Sequence, residues 1–131
     1  MIINPRLAVL YAADQERTVE FLTRTLGFEI IVDVPHGGGN RWVELGVPGS
    51  VTSVAVAAVG PEIRAALESA AGRMVHGWFD CDDLDATCSR LEEQGVTFTV
   101  APQPTPWREG GRWAQIAGSD GHLYGLTERL G

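Results

Sequence analysis

Tryptophan and histidine are the residues of this chain whose types and positions could carry out chemistry. Trp42 and Trp113 each follow an arginine that comes directly after a glycine-rich turn, so they are predicted to occupy matching strands. Trp78 lies two residues after His76 and is predicted to share its strand face, because side chains alternate along a strand. Indole rings provide stacking surface in binding pockets, but they also fill cores. Both interpretations stay open for each tryptophan.

His76 is the titratable side chain of greatest interest. The ordinary pKa of an imidazole lies near physiological pH, so on a cavity-facing strand His76 could act as a general base or bind a ligand. A structural role for a buried imidazole is the alternative. Cys81 lies five positions along and falls on the other strand face, so the two cannot form a catalytic pair. His36 and His122 lie in glycine-containing turns and are expected to be exposed.

Two further side chains are candidates for ligand contact. Trp107 lies in residues 102–111, a wide loop rich in proline and glycine, where it could cover a pocket or pack on a partner subunit. Glu44 lies two residues after Trp42 and is predicted to share its face. Its carboxylate could therefore meet a cationic ligand or pair with an arginine.

These side chains are positioned by a stretch that occurs twice. In each copy a short apolar run ends on an aspartate, which is Asp14 in the first and Asp82 or Asp83 in the second. Such a side chain accepts hydrogen bonds from the first turn of a helix. A glycine that can take the left-handed conformation then ends each helix, Gly27 in one copy and Gly95 in the other. A shift of 68 residues superimposes Asp14 on Asp82 and the two glycines on each other.

The order of elements is predicted to be the same in both halves of the chain. Helices are predicted over residues 15–26 and 84–94, each with one apolar face. The predicted strands cover residues 6–12, 28–34, 41–46, 52–59, 74–81, 96–102, 112–118 and 122–129.

This order divides the chain into two βαβββ modules. Residues 1–60 form the first, residues 61–72 a linker that could form a short helix, and residues 73–131 the second. Neither module could cover its sheet alone. We therefore expect an α+β fold in a single domain of residues 1–131, in which the curved mixed sheets of the modules surround a shared cavity.

Composition is typical of an ordinary globular domain. With 131 residues, 44% hydrophobic, the chain can bury one substantial core. It has no run of eighteen apolar residues and no signal-peptide pattern, so we expect a cytoplasmic location without a membrane partner. A net charge of −7 argues against nucleic-acid binding and favours cationic or neutral ligands. Cys81 and Cys88 are predicted to be free thiols.

The paired modules and three segments carry a resemblance to a known family. The segments are AADQERTVEFLTRTLGFEI in the first module, and CDDLDATCSRLEEQGVTF and SDGHLYGLTE in the second. Over nearly its whole length the chain resembles the vicinal oxygen chelate superfamily, which includes glyoxalase I, extradiol dioxygenases, fosfomycin-resistance transferases and bleomycin-resistance proteins. The resemblance implies a glyoxalase/bleomycin-resistance-like fold and a homodimer. It does not choose between metal enzymes and binding proteins, because the scaffold hosts both.

The metal-dependent members of this superfamily offer a direct comparison of ligand positions. The resemblance places these positions at Leu7, His76, Gly125 and either Ala55 or Ala57. Only His76 has a side chain that could coordinate a metal, whereas the iron, nickel and manganese sites need about three protein ligands. We therefore expect no metal and no other cofactor. The same comparison puts Tyr11, four residues after Leu7, on the cavity side, and Tyr124 on the opposite side of its strand.

The sequence thus predicts a metal-independent protein that binds an aromatic or hydrophobic small molecule, with antibiotic sequestration as one form of that function. The predicted ligand-binding side chains are Tyr11, Trp42, Glu44, His76, Trp78, Trp107 and Trp113. Two enzymatic alternatives stay open. One is a metal-dependent lyase, isomerase or dioxygenase that holds its metal through other residues, and the other is metal-free catalysis with His76 as the base.

Overall fold

The computed structural model describes residues 1–130 and contains two compact units. One unit covers Met1–Ser69, and the other begins at Ala70. Each unit has the βαβββ order predicted from sequence, with a four-stranded mixed sheet and a helix that packs on one of its faces. The fold class is therefore α+β, as predicted.

The first unit places its first strand beside its last. Its strands are β1 (Leu7–Ala12), β2 (Glu29–Pro35), β3 (Arg41–Gly46) and β4 (Ser53–Ala58), in the sheet order β1-β4-β3-β2. β1 runs parallel to β4, and the other neighbours are antiparallel. Helix α1 (Gln15–Glu20) continues directly into a π-helical turn, Phe21–Thr25.

The second unit repeats this topology. Its strands are β5 (Val75–Cys81), β6 (Thr97–Pro104), β7 (Arg112–Ala117) and β8 (Leu123–Glu128), in the order β5-β8-β7-β6, with helix α3 at Leu84–Glu93. The segment that the sequence left as a linker or short helix forms helix α2 (Pro61–Ala70), which contains no buried residue. No helix within residues 1–130 is long and apolar enough to cross a membrane.

Aspartates begin helices α1 and α3, as their sequence context predicted. Asp14 accepts a hydrogen bond from the backbone N–H of Arg17 at 3.1 Å, and Asp83 accepts one from the N–H of Ala86 at 3.0 Å. Of the two candidates in the second copy, Asp83 is therefore the cap. Asp82 accepts a bond from the backbone N–H of Asp83 instead, at 2.8 Å.

The two capped helices differ in length by one residue. Thirteen positions separate the cap from Gly27 in the first copy, but only twelve separate it from Gly95 in the second. The extra residue is accommodated in the π-helical turn, where the N–H of Leu26 donates to the carbonyl of Phe21 at 3.2 Å. A uniform shift of 68 residues is thus correct for the glycines and wrong for the caps.

Each sheet has one face packed on the helix of its unit and one face that the helix leaves uncovered, called here the open face. The apolar stripes predicted for the helices are buried, except that Leu26 is half-buried. The open face of the first unit carries Tyr11, Trp42, Glu44, Ala55 and Ala57. The open face of the second unit carries Trp78, Asp80, Trp113, Gln115, Gly125 and Thr127.

Candidate functional site

The open face of the second unit is built around the contact between Trp78 and Gly125. These residues lie opposite each other on the parallel strands β5 and β8. A Cβ atom added at Gly125 would lie only 2.3 Å from Cε3 of the Trp78 ring. The indole therefore lies directly on the backbone of β8, a position that only a glycine opposite it permits.

Three indoles meet on this face. The Trp78 and Trp107 ring centroids are 5.5 Å apart and nearly perpendicular, at 82°, and the Trp107 and Trp113 centroids are 5.2 Å apart at 60°. Trp78 and Trp113 are 5.9 Å apart and tilted by 38°. All three centroid separations lie in the range of favourable aromatic pairs, and the two pairs that include Trp107 are edge-to-face. The structure thus brings together three of the four tryptophans predicted to bind a ligand.

Trp107 lies on a compact turn that is shorter than the wide loop of residues 102–111 predicted from sequence. β6 continues to Pro104, so the connection to β7 is only residues 105–111. The N–H of Thr105 donates to the carbonyl of Gly111 at 3.0 Å, and its hydroxyl donates to the carbonyl of Arg108 at 2.5 Å. Because the ends of the turn are joined, Trp107 has a defined position beside the other two indoles.

Polar side chains lie on the same face as the indoles. The Thr127 hydroxyl donates to Oδ1 of Asp80 at 2.5 Å, and Nε2 of Gln115 donates to the Thr99 hydroxyl at 3.0 Å. Thr127 pairs with Asp80 on one side and with Trp113 on the other. The carboxylate and the indoles therefore occupy neighbouring rows of a single surface.

His76 does not share the face of Trp78, which corrects the prediction from strand alternation. The register of β5 against β8 shifts between Val75 and Gly77, and this bulge places His76 out of the alternating pattern. Its ring stacks on that of His122, with centroids 4.0 Å apart and an interplanar angle of 11°, and it meets the ring of Tyr124 edge-on at 6.1 Å. Tyr124 is fully buried on the side of the sheet opposite Gly125, as predicted.

The surroundings of His76 keep its imidazole neutral. Burial is the main cause that lowers the pKa of His76, the nearby His122 adds to it, and Asp120 opposes both effects, so that the resulting pKa is about 4. Its Nε2 atom is buried and has no hydrogen-bond partner within residues 1–130. Contrary to expectation His122 is buried as well, and its backbone N–H donates to Asp120 at 3.0 Å. A weakly basic, enclosed imidazole fits the structural interpretation of His76 better than that of a general base.

The open face of the first unit has a polar pair at its centre. Glu44 accepts a hydrogen bond from Nε1 of Trp42 at 2.8 Å and another from Arg6 at 3.0 Å. The bonds from Trp42 and from Arg6 lower the pKa of Glu44, so the carboxylate is ionised and already paired. Of the two uses predicted for Glu44, pairing with an arginine is the one observed. Tyr11 lies in the same row as Trp42, across Ala57, and is about half exposed.

A groove of about 520 Å³ at the β2–β3 hairpin was not anticipated from sequence. Its lining consists of Asp33, Pro35, Gly37, Gly39, Asn40 and Arg41. Three consecutive glycines with positive φ shape it, and the run HGGGN was the signal available in the sequence. Arg41 pairs with Asp33 at 3.1 Å and with Glu16, so its charge is neutralised. The groove contains none of the predicted ligand-binding side chains.

The metal implied for some relatives does not fit the side chains present. Leu7 and Ala55 offer no lone pairs, and the space that a side chain at Gly125 would need is filled by the Trp78 indole. His76 is turned toward His122. Within residues 1–130 no three histidine, cysteine, aspartate or glutamate side chains are grouped so that they could hold a metal ion.

Comparison with known proteins agrees with this fold. Residues 5–125 match the family model described as the Glyoxalase/Bleomycin resistance protein/Dioxygenase superfamily. TnmS3, an antibiotic binding protein from Streptomyces sp. CB03234, is 31% identical, with a TM-score of 0.78 and 98% of each chain covered.

Two other relatives are similar over nearly the whole chain. A glyoxalase/bleomycin resistance protein from the same Streptomyces is 32% identical, with a TM-score of 0.71, covering 94% of this chain and 98% of that one. YetH, an uncharacterized protein of Bacillus subtilis (strain 168), is 26% identical over 128 residues, which are 98% of this chain and all of YetH. The chain therefore belongs to the glyoxalase/bleomycin resistance protein/dioxygenase superfamily.

Proposed function

We propose that this protein is a metal-independent binding protein that sequesters an aromatic or hydrophobic small molecule, such as an antibiotic, on the open face of its second unit. The observation that carries the proposal is the cluster of Trp78, Trp107 and Trp113. The similarity to TnmS3, which is described as an antibiotic binding protein, supports the same class of function.

The exposure of the indoles supports a binding role over a purely structural one. Trp78 is 48% exposed and Trp107 is 55% exposed, so about half of each large ring faces outward. A contiguous exposed aromatic surface with polar groups beside it is characteristic of interaction sites. An aromatic ligand that covered these rings would gain both stacking and apolar burial.

The polar side chains of this face would orient the ligand. Gln115 and Thr99 are hydrogen-bonded to each other, and Asp80 and Thr127 form a second pair. Their donors and acceptors lie beside the indoles, so a ligand with hydroxyl, carbonyl or amine groups at its rim could exchange these bonds for its own. In this arrangement the protein holds its ligand without changing it.

We further propose that the protein is a homodimer in the cytoplasm and that Tyr11, Trp42 and Glu44 also take part in ligand binding. Dimerisation is expected from the family resemblance and is supported by exposed apolar side chains on the edge strand β2, namely Ile30, Ile31 and Val34. Light scattering coupled to size-exclusion chromatography tests the oligomeric state. A monomer at micromolar concentration would contradict the homodimer.

The binding function is tested by titrating the protein with a panel of aromatic antibiotics while tryptophan fluorescence is recorded. Trp78→Ala and Trp113→Ala should each weaken binding by about 1–3 kcal/mol, because each removes a stacking surface at the centre of the site. Trp42→Ala measures how much a side chain of the first unit contributes to the affinity. Unchanged affinity in both Trp78→Ala and Trp113→Ala would contradict the assignment.

A further inference from the structure

Asp80 is a negative charge beside the three indoles, and within residues 1–130 it has no counter-ion. It lies two residues after Trp78 on β5 and therefore points to the same open face. Oδ1 accepts the hydrogen bond from Thr127, whereas Oδ2 takes part in no hydrogen bond or ion pair within residues 1–130. The residue is exposed, so this oxygen is accessible from the same side as the Trp78 ring.

Glu44, the acidic side chain bonded to a tryptophan on the open face of the first unit, has no free oxygen. Both oxygens of Glu44 are occupied, one by Arg6 and one by Trp42. Asp85, at the start of α3, is likewise paired, because Arg112 donates to both of its oxygens. Asp80 thus combines a free carboxylate oxygen, which Glu44 and Asp85 both lack, with a place on the face that carries three indoles.

We propose that the open face of the second unit selects an aromatic cation, whose rings stack on Trp78 and Trp113 while its positive charge is held by Asp80. This inference rests on the binding function proposed above and specifies its ligand class. A cation placed over an indole is attracted by the negative face of the ring, and tryptophan is the best of the aromatic side chains in this respect. The carboxylate beside the indoles adds a direct charge pair, so the same groups that favour a cation disfavour an anion.

The overall charge of the protein acts in the same direction. With a net charge of −7, the protein attracts cations from the surrounding solution, and this attraction extends about as far as the screening length of the salt. That long-range attraction would be the same for any surface carboxylate, whereas the contact with Asp80 is local. A variant that removes one negative charge elsewhere therefore separates the two effects.

The test compares three probes that share a planar three-ring frame and differ in charge, namely proflavine as the cation, acridone as the neutral molecule and anthraquinone-2-sulfonate as the anion. Isothermal titration calorimetry at low salt gives a Kd for each. We expect proflavine to bind more tightly than acridone, and the anion to bind most weakly. Asp80→Asn should weaken proflavine binding about fivefold and should change acridone binding much less, because the amide keeps the hydrogen-bonding groups and loses the charge.

Three controls keep the inference falsifiable. Glu93→Gln removes one exposed charge from α3 and should leave the preference for proflavine intact. Asp80→Glu should keep most of the preference, since the charge is retained. In the unaltered protein, raising the salt concentration should reduce proflavine binding and not acridone binding, which tests the selection for a cation even if Asp80→Asn folds poorly, while the role of Asp80 is tested by Asp80→Glu.

The outcomes distinguish this inference from the function on which it rests. If acridone and proflavine bind equally and Trp78→Ala weakens both, the aromatic site stands and the selection for a cation is wrong. If Glu93→Gln lowers proflavine affinity as much as Asp80→Asn does, the effect is one of net charge and the role of Asp80 is overturned. If no probe binds and Trp78→Ala also leaves the affinity for the aromatic antibiotics unchanged, the binding function itself fails.

Discussion

The indole of Trp78 lies on the backbone of Gly125, so closely that a Cβ atom at residue 125 would be 2.3 Å from the ring. This one contact has two consequences for the site. It provides a flat aromatic surface on the open face of the second unit, and it occupies the space where metal-dependent relatives are expected to place a ligand side chain. Gly125 and Trp78 therefore act together, because the glycine leaves the space that the indole ring fills.

Replacing Gly125 by alanine should displace Trp78. The ring is about half exposed and can swing outward, so the free energy of unfolding should fall by only about 1 kcal/mol. The affinity for an aromatic ligand should fall by about 1–2 kcal/mol, because the central stacking surface is lost. Gly60→Ala is the matched control, since Gly60 has an ordinary φ and open space around it. Wild-type affinity in Gly125→Ala would show that Trp78 does not form the ligand platform.

The neutral His76 should make the protein less stable in mild acid. Its pKa is lowered to about 4 in the folded chain from an ordinary value of 6.5, so the unfolded chain binds the proton more readily. Stability is therefore complete above pH 6.5 and is lost as the pH falls toward 4, by about 2 kcal/mol once partial solvent access is allowed for. Denaturant titrations between pH 7 and pH 4 measure this loss.

The groups that face His76 are His122, Tyr124 and, through its charge, Asp120. In His76→Gln the loss of stability between pH 6.5 and pH 4 should shrink, because the titrating imidazole is gone. His36→Gln, which removes an exposed histidine, is the control. An identical pH dependence in His76→Gln and in the wild type would refute this assignment.

Arg6 should contribute little to stability but much to the charge state of Glu44. Its side chain is 68% exposed, so Arg6→Gln should cost less than about 1 kcal/mol of unfolding free energy. The pKa of Glu44 should rise, since one of the two bonds that lower it is lost, and the other, from Trp42, remains. Carboxyl-detected NMR titration measures the shift. A Glu44 pKa that stays where it was would show that Trp42 alone accounts for the lowering.

The turn that carries Trp107 should depend on the hydroxyl of Thr105. Thr105→Val removes the hydrogen bond to the carbonyl of Arg108 and should lower stability by about 0.5–1.5 kcal/mol. Trp107 would then become more mobile, and its contribution to the fluorescence emission should shift toward that of an exposed indole. Thr52→Val, which removes the bond to the carbonyl of Pro5 within the first unit, should leave the emission unchanged. Unchanged emission in both variants would mean that the turn keeps Trp107 in place without this bond.

Much of the fold was predictable because it depends on neighbours in sequence. The capping aspartates, the closing glycines and the apolar stripes of α1 and α3 act within one or two helical turns. The paired modules followed from their repetition, and they led to the family. The one-residue mismatch between the two helices was also present in the sequence, as the choice between Asp82 and Asp83, but its accommodation in a π-helical turn was not.

The site depended on tertiary structure for three reasons. A bulge in β5 turned His76 away from Trp78, and strand alternation cannot predict a bulge, because it arises from pairing with a distant strand. Trp107 contacts Trp78 and Trp113 because hydrogen bonds close the turn on which it lies, and the sequence does not show which groups form these bonds.

The third reason concerns charge. The sequence showed which carboxylates exist, but their partners come from other strands. Glu44 meets Arg6, 38 residues away, whereas in the described part of the chain Asp80 bonds only to the hydroxyl of Thr127. The sequence by itself therefore determined the fold, the family and which strands and loops carry tryptophans. Only the tertiary structure decided which of them share a surface and which negative charge beside them is free, because both are set by contacts between residues far apart in the chain.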